Sequence, residues 1–307
     1  MTIRVLYIGG SGRSGSTLID RIIGQLPGFV STGELRVISN AGVGENRLCG
    51  CGQPFDVCGF WTQVGTQAFG GWDAVDRTAL HAAGSISYPR AVRALLGGGV
   101  APQPEARRHL VSLYQAISDQ AGGAVVIDSS KGPRYATLLA TIPDLDVRAI
   151  HLIRDSRGVA YSWSKVVSRP DVPGQDVEMM RMSAPQVAGR WILHNAMMEL
   201  LARNTPVVRV NYETFLARPR QELERILAVV DPDAAPPDLE FLGASSVRLA
   251  PNHTVMGNPM RMQTGHVALR LDEAWRTAMP GGARALVTAM TWPFLMRYGY
   301  PLWAQRP

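Results

Sequence analysis

Residues 3–17 read Ile3-Arg4-Val5-Leu6-Tyr7-Ile8-Gly9-Gly10-Ser11-Gly12-Arg13-Ser14-Gly15-Ser16-Thr17. Ile3–Ile8 is a short apolar run of the kind that forms a strand buried on both faces. A glycine-rich loop follows at once. Ser16–Gln25 then places Leu18, Ile19, Ile22 and Ile23 on one side of a helix. Gly10, four residues, then Gly15-Ser16-Thr17 has Walker A spacing, but Ser16 stands where the lysine belongs. Such a loop turns backbone N–H groups toward an anion at a helix start. With Arg13 as its only base, it suits one phosphate carrying a transferable group better than a magnesium-bound triphosphate.

Outward from this unit the pattern repeats. Val125–Ile127 is a second buried strand, ended by Asp128-Ser129-Ser130-Lys131, and Tyr135–Ile142 reads as helix. Val147–Ile153 is a third strand, ended by Arg154-Asp155-Ser156-Arg157, with Gly158–Val167 helical. Pro185–Asn204 is a long helix, Pro206–Val210 a fourth strand followed by Asn211-Tyr212-Glu213, and Arg220–Val230 a further helix. Strands alternating with helices predict an α/β fold, a P-loop-like parallel sheet flanked by helices on both faces. Ligands sit at the carboxyl ends of such strands. The polar clusters 9–17, 128–131, 154–157 and 211–213 are therefore expected to converge.

The 307 residues suit a single domain, 1–307, with a substrate-binding helical and loop insert at about 40–122. Segment 72–121 reads as helical with a break at Gly97-Gly98-Gly99, and 231–262 is rich in Pro, Asn and Gly. The tail, Asp272–Tyr300, returns to helix. Net charge is +6, which fits an anionic ligand. The bases are scattered, so no nucleic-acid partner is expected. No membrane-length apolar stretch and no signal peptide are apparent, which predicts a cytoplasmic protein.

Two motifs beyond the loop carry a resemblance. The loop itself, through Leu18, resembles the 5′-phosphosulfate loop of the sulfotransferases that use 3′-phosphoadenosine 5′-phosphosulfate (PAPS). Bacterial members and the tyrosylprotein sulfotransferases, which replace the loop lysine by arginine, are the nearest in pattern. Ile150-His151-Leu152-Ile153-Arg154, with Ser162 eight positions on, resembles that family's 3′-phosphate site. The resemblance implies PAPS as co-substrate, held by Arg13, Ser14, Gly15, Ser16, Thr17, Arg154 and Ser162, with no metal. It implies Lys131 as the group that stabilises the transferring sulfuryl, beside Arg13. It also implies Glu34, in Gly33-Glu34-Leu35-Arg36, as general base with Arg36 as its partner. Tyr212 resembles a tyrosine near the nucleotide. Asn258 and Arg261 fall where relatives fold a loop over it. The acceptor is expected to be a hydroxyl, phenol or alcohol, of a small molecule; a homodimer is left open.

Two other functions compete. A P-loop kinase would use Asp128 as its magnesium carboxylate but lacks the lysine. A non-catalytic protein would bind 3′,5′-ADP and transfer nothing.

Cys49, Cys51 and Cys58 are the chain's three cysteines. A zinc site needs a fourth ligand, and none is near in sequence. A reversible disulfide is a second reading. Small residues filling space beside Trp61 is the favoured one. The acceptor pocket is expected from segments 40–62 and 165–185. Met179, Met180 and Met182 read first as helix core and second as an adaptable apolar wall.

Overall fold

Ile3–Gly10 forms the central strand β1 of a five-stranded parallel sheet. The computed structural model describes residues 2–172, 177–231 and 237–303. Pro173 and Gly174 of the expected acceptor segment, and 232–236, lie outside them. The sheet order is β2 (Phe29–Ser31), β3 (Val125–Lys131), β1, β4 (Leu145–Ile153), β5 (Val207–Asn211). β1 pairs in register with β4 from Ile3–Leu145 to Gly10–Leu152, and with β3 at Val5–Val126 through Tyr7–Asp128.

The apolar run of β1 serves two cores. Val5 and Tyr7 face one layer and Leu6 and Ile8 the other, all essentially fully buried. The first layer holds helices α2 (Gly59–Phe69), α3 (Arg77–Ala83), α4 (Tyr88–Leu95), α5 (Pro104–Gln120) and α6 (Pro133–Ala140). The second holds α1 (Ser16–Ile23), α9 (Tyr212–Ala217) and α10 (Pro219–Val230). α7 (Ser156–Ser164), α8 (Ala184–Leu201), α11 (Trp275–Ala278) and α12 (Gly281–Arg297) close the β4–β5 end around Trp191 and Trp275. Helices thus cover both faces, as the alternation of elements predicts.

Three features differ from the expectation. β3 runs on through Ser129, Ser130 and Lys131, so the polar cluster there is the strand's own end. β2 is a three-residue edge strand, too short to carry a pattern. The 231–262 segment contributes β6 (Ser246–Leu249), paired antiparallel with β7 (Gly265–Ala268). Among the described residues no helix is long and apolar enough to cross a membrane.

Candidate active site

A cleft of about 720 Å³ opens at the carboxyl ends of β1, β3 and β4, within the size range of small-molecule sites. The β1–α1 loop forms one wall, and its glycines are fixed by close approach. Gly10 has φ 139°, and a Cβ there would lie 2.2 Å from the Leu152 carbonyl oxygen. Gly15 has φ 91°, and its Cβ would lie 2.4 Å from the Tyr212 ring. Only glycine lets the loop pass between β4 and Tyr212.

Arg13, at the loop's turn, takes a left-handed backbone, φ 68°. Its guanidinium lies over Trp163, 5.2 Å from the ring centroid. Its Nε and Nη2, and the Ser14 hydroxyl, are buried without a hydrogen-bond partner. Burial, then the nearby Arg169, lowers its pKa from the usual arginine range. Buried unpaired donors are rare unless a ligand satisfies them. An anion with several oxygens fits this donor set. Gly15, Ser16 and Thr17 also border the cleft, while Ser14 sits behind it.

Arg154 and Ser162 arrive from β4 and α7, and both border the cleft. The Arg154 guanidinium is positioned from three sides. It donates to the Arg13 carbonyl at 3.1 Å and the Asp272 carbonyl at 3.0 Å, and it stacks 5.0 Å from the Tyr212 ring centroid. Tyr212, which starts α9, therefore touches both the loop and Arg154. From cluster 154–157 only Arg154 reaches the cleft. Arg157 is buried on Asp155 and on the carbonyls of Pro301 and Leu302.

Glu34 and Lys131 form an ion pair on the cleft wall. Lys131 ends β3 in a left-handed conformation, φ 66°. A positive φ costs a side-chain-bearing residue about 1–2 kcal/mol, and such strain gathers at functional sites. The partner expected for Glu34 is corrected here. Glu34 pairs with Lys131, whereas Arg36 lines the cleft separately and its backbone N–H donates to Ser130 Oγ at 3.0 Å.

Further expectations are corrected. Arg261 does not reach the cleft. It is fully buried, donating to the carbonyls of Thr254 at 2.7 Å and Leu48 at 2.5 Å, with Asp171 3.5 Å away. Asn258 does border it, and its backbone N–H donates to Thr17 Oγ1 at 3.2 Å. None of residues 40–62 lines the cleft, and Tyr88 alone represents the 40–122 insert. The methionines are not helix core: Met179, Met180 and Met182 line the cleft, and Met180 is 64% exposed. Asp128 is fully buried, held by Tyr114 and by Ser130, so it offers no carboxylate to the cleft. The cysteines do acquire a neighbour of ligand type, His253, 195 residues beyond Cys58.

Of the expected acceptor segments, 165–185 does reach the cleft, with Arg169 besides the methionines, while sequence reasoning missed Trp163, Arg134, Arg190 and His194, which also border it. Arg190 and His194 lie one turn apart on α8, a spacing that put them on one face without saying which. Among the described residues, seven basic side chains (Arg13, Arg36, Lys131, Arg134, Arg154, Arg169, Arg190) line the cleft against two acidic ones, Glu34 and Asp272. The field inside favours a multiply charged anion.

A Walker-like loop without its lysine, joined by an arginine from the neighbouring strand, marks an α/β protein with a P-loop-like parallel sheet and a basic cleft at its strand ends. The chain belongs to the sulfotransferase family, whose sequence pattern matches residues 6–235. Its fold is similar to that of the sulfotransferase domain of the Synechococcus PCC 7002 olefin synthase, with TM-score 0.52 and 19% identity over 98% of this chain and 96% of that one. It is also similar to the sulfotransferase domain of the curacin biosynthetic pathway, with TM-score 0.50 and 13% identity over 97% and 98%. No curated protein matches the chain at a significant level.

Proposed function

We propose that residues 1–307 act as one sulfotransferase domain that moves the sulfuryl group of PAPS to a hydroxyl of a small molecule. The observation that carries this reading is the junction of two anion sites. The Gly9–Thr17 loop, with its unpartnered Arg13 donors, accepts a hydrogen bond from Arg154 at the Arg13 carbonyl, 3.1 Å. One site suits a 5′-phosphosulfate and the other a 3′-phosphate, with Ser162 also on the cleft wall. PAPS supplies the activated sulfuryl group.

The chain's own residues do the rest. Glu34 takes the proton of the acceptor hydroxyl as that oxygen bonds to sulfur. Lys131, Arg13 and the loop N–H groups hold the charge that collects on the leaving phosphate as the sulfur–oxygen bond breaks. The proton then passes from Glu34 to solvent. Each preorganised donor of this kind contributes about 10²–10³ in rate. The apolar wall of Met179, Met180 and Met182 receives the body of the acceptor. A cytoplasmic setting belongs to the same reading.

The deciding experiment is a thermal-shift comparison of 3′,5′-ADP with magnesium-ATP, followed by transfer assays from labelled PAPS to a panel of phenols and alcohols. Stabilisation by 3′,5′-ADP alone is expected. Stabilisation by ATP alone overturns the donor. Tight 3′,5′-ADP binding with no transfer to any acceptor favours the non-catalytic reading.

A further inference from the structure

Away from the cleft, three thiols and an imidazole meet. Cys49 and Cys51 sit in a tight turn closed by the Leu48–Pro54 bridge, where the Cys49 N–H donates to Gln53 O at 2.7 Å. Cys58 precedes the first turn of α2. His253 belongs to the segment that leads to Asn258. Its Nδ1 lies 3.6 Å from Cys49 Sγ and 3.4 Å from Cys58 Sγ. Cys58 Sγ lies 3.6 Å from Cys49 Sγ and 3.7 Å from Cys51 Sγ. All four ligand atoms fall within 4.8 Å of one another.

We propose that Cys49, Cys51, Cys58 and His253 bind one zinc ion in a closed, structural site. A tetrahedral zinc ion with Zn–S of about 2.3 Å and Zn–N of about 2.0–2.1 Å places sulfurs about 3.8 Å apart and sulfur about 3.6 Å from nitrogen. The four short separations match those edges. Three thiolates and an imidazole are a ligand set that selects zinc over hard cations. Four protein ligands leave no position for substrate, so the ion's work is structural.

The surroundings are those of a metal shell. Phe60 stacks on the imidazole, 4.8 Å between centroids and 9° between planes. Trp61 Nε1 donates to the His253 carbonyl at 2.9 Å. Such contacts fix ligand orientation in metal sites. A disulfide would use two thiols and leave the third, and the imidazole, without a role. Space filling alone would not bring a ring nitrogen to two sulfurs.

The site has a consequence for the cleft. It ties the turn at 48–54 to the segment 252–258, where Gly50 N–H also donates to Thr254 O at 3.0 Å. The same segment carries Met256 onto the cleft wall and Asn258 onto Thr17. The ion would thus clamp the loop that lies against the phosphate-binding turn, from outside the chemistry.

The test is metal content, read on the full chain made without a histidine tag and purified without chelator. Plasma mass spectrometry is expected to find about one zinc ion per chain, and tenfold less in Cys51→Ser and Cys58→Ser. Chain produced in cobalt medium is expected to show the absorption of tetrahedral, thiolate-bound cobalt(II). If the variants fail to fold, wild-type stoichiometry and the cobalt spectrum decide alone. A wild-type chain with less than about a tenth of a zinc ion, another metal in its place, or full zinc in both variants overturns the proposal. None of these readouts depends on what the cleft binds.

Discussion

Glu34 and Lys131 meet as an ion pair on the cleft wall, although 97 residues separate them in the chain. Glu34 follows β2 and Lys131 ends β3, adjacent parallel strands, so the two side chains leave the same sheet edge together. The pair sets the proposed base beside the proposed stabiliser of the leaving group. Glu34→Gln is expected to lower kcat by about 10²–10⁴ with little change in 3′,5′-ADP affinity, as for loss of a general base. Equal losses in kcat and nucleotide binding would place Glu34 in donor binding instead.

Lys131 also carries a conformational cost. At φ 66° its backbone suits glycine. Lys131→Ala keeps that cost and loses the amino group, whereas Lys131→Gly loses both. Both variants are expected to lose about 10²–10³ in kcat. Lys131→Gly should be the more stable of the two, by about 1 kcal/mol. Denaturant midpoints in the opposite order would show that the left-handed backbone is not strained here.

Arg154 is positioned by Arg13, Asp272 and Tyr212. If it reads the 3′-phosphate, Arg154→Ala lowers affinity for 3′,5′-ADP by about ten- to a hundredfold, the value of a charged hydrogen bond. Affinity for 5′-ADP should change little. Calorimetry on the two nucleotides separates this from general damage, which would weaken both.

Legibility tracked locality. The β1–loop–α1 unit was legible because strand, turn and helix are contiguous and glycine is demanded at Gly10 and Gly15. β4 and Arg154 were legible for the same reason. The Glu34–Lys131 pairing was not, because strand order decides it. The resemblance to relatives that fold a loop over the nucleotide puts Arg261 at the cleft, whereas the structure buries it behind the loop. Its burial is made tolerable by the Thr254 and Leu48 carbonyls and by Asp171, none of which is visible from local sequence. His253 was missed as a companion of the cysteines because no spacing rule spans 195 residues.

Asp20 ties α1 to the edge of the sheet, accepting from Ser31 Oγ at 2.5 Å and Ser129 Oγ at 2.6 Å. Burial raises its pKa from 3.8 to about 7. The folded state therefore holds a proton that the unfolded chain releases near pH 4. Stability from this group is fully present below that pH and is lost as pH rises through about 7. Asp20→Asn removes the titration. The stability difference, wild type minus variant, is expected to fall by up to about 4 kcal/mol between pH 4 and pH 8. A pH-independent difference from urea unfolding would mean that Asp20 stays ionised when folded.

Met180 separates the two halves of the cleft's chemistry. It is largely exposed on the wall with Met179, Met182 and Val187, away from the loop and from Arg154 in sequence. If this wall receives the apolar body of the acceptor, Met180→Ala removes burial that forms only when the acceptor binds. Truncating a methionine that becomes fully covered forfeits about 1–2 kcal/mol. KM for the acceptor is then expected to rise by about five- to thirtyfold, with 3′,5′-ADP affinity unchanged and kcat within about twofold. A fall in kcat at constant KM would move Met180 from acceptor binding to alignment of the reacting oxygen. Unchanged kinetics with several acceptors would place the acceptor elsewhere in the cleft, for example beside Tyr88 and Arg134, whose guanidinium lies 4.2 Å from the Tyr88 ring centroid.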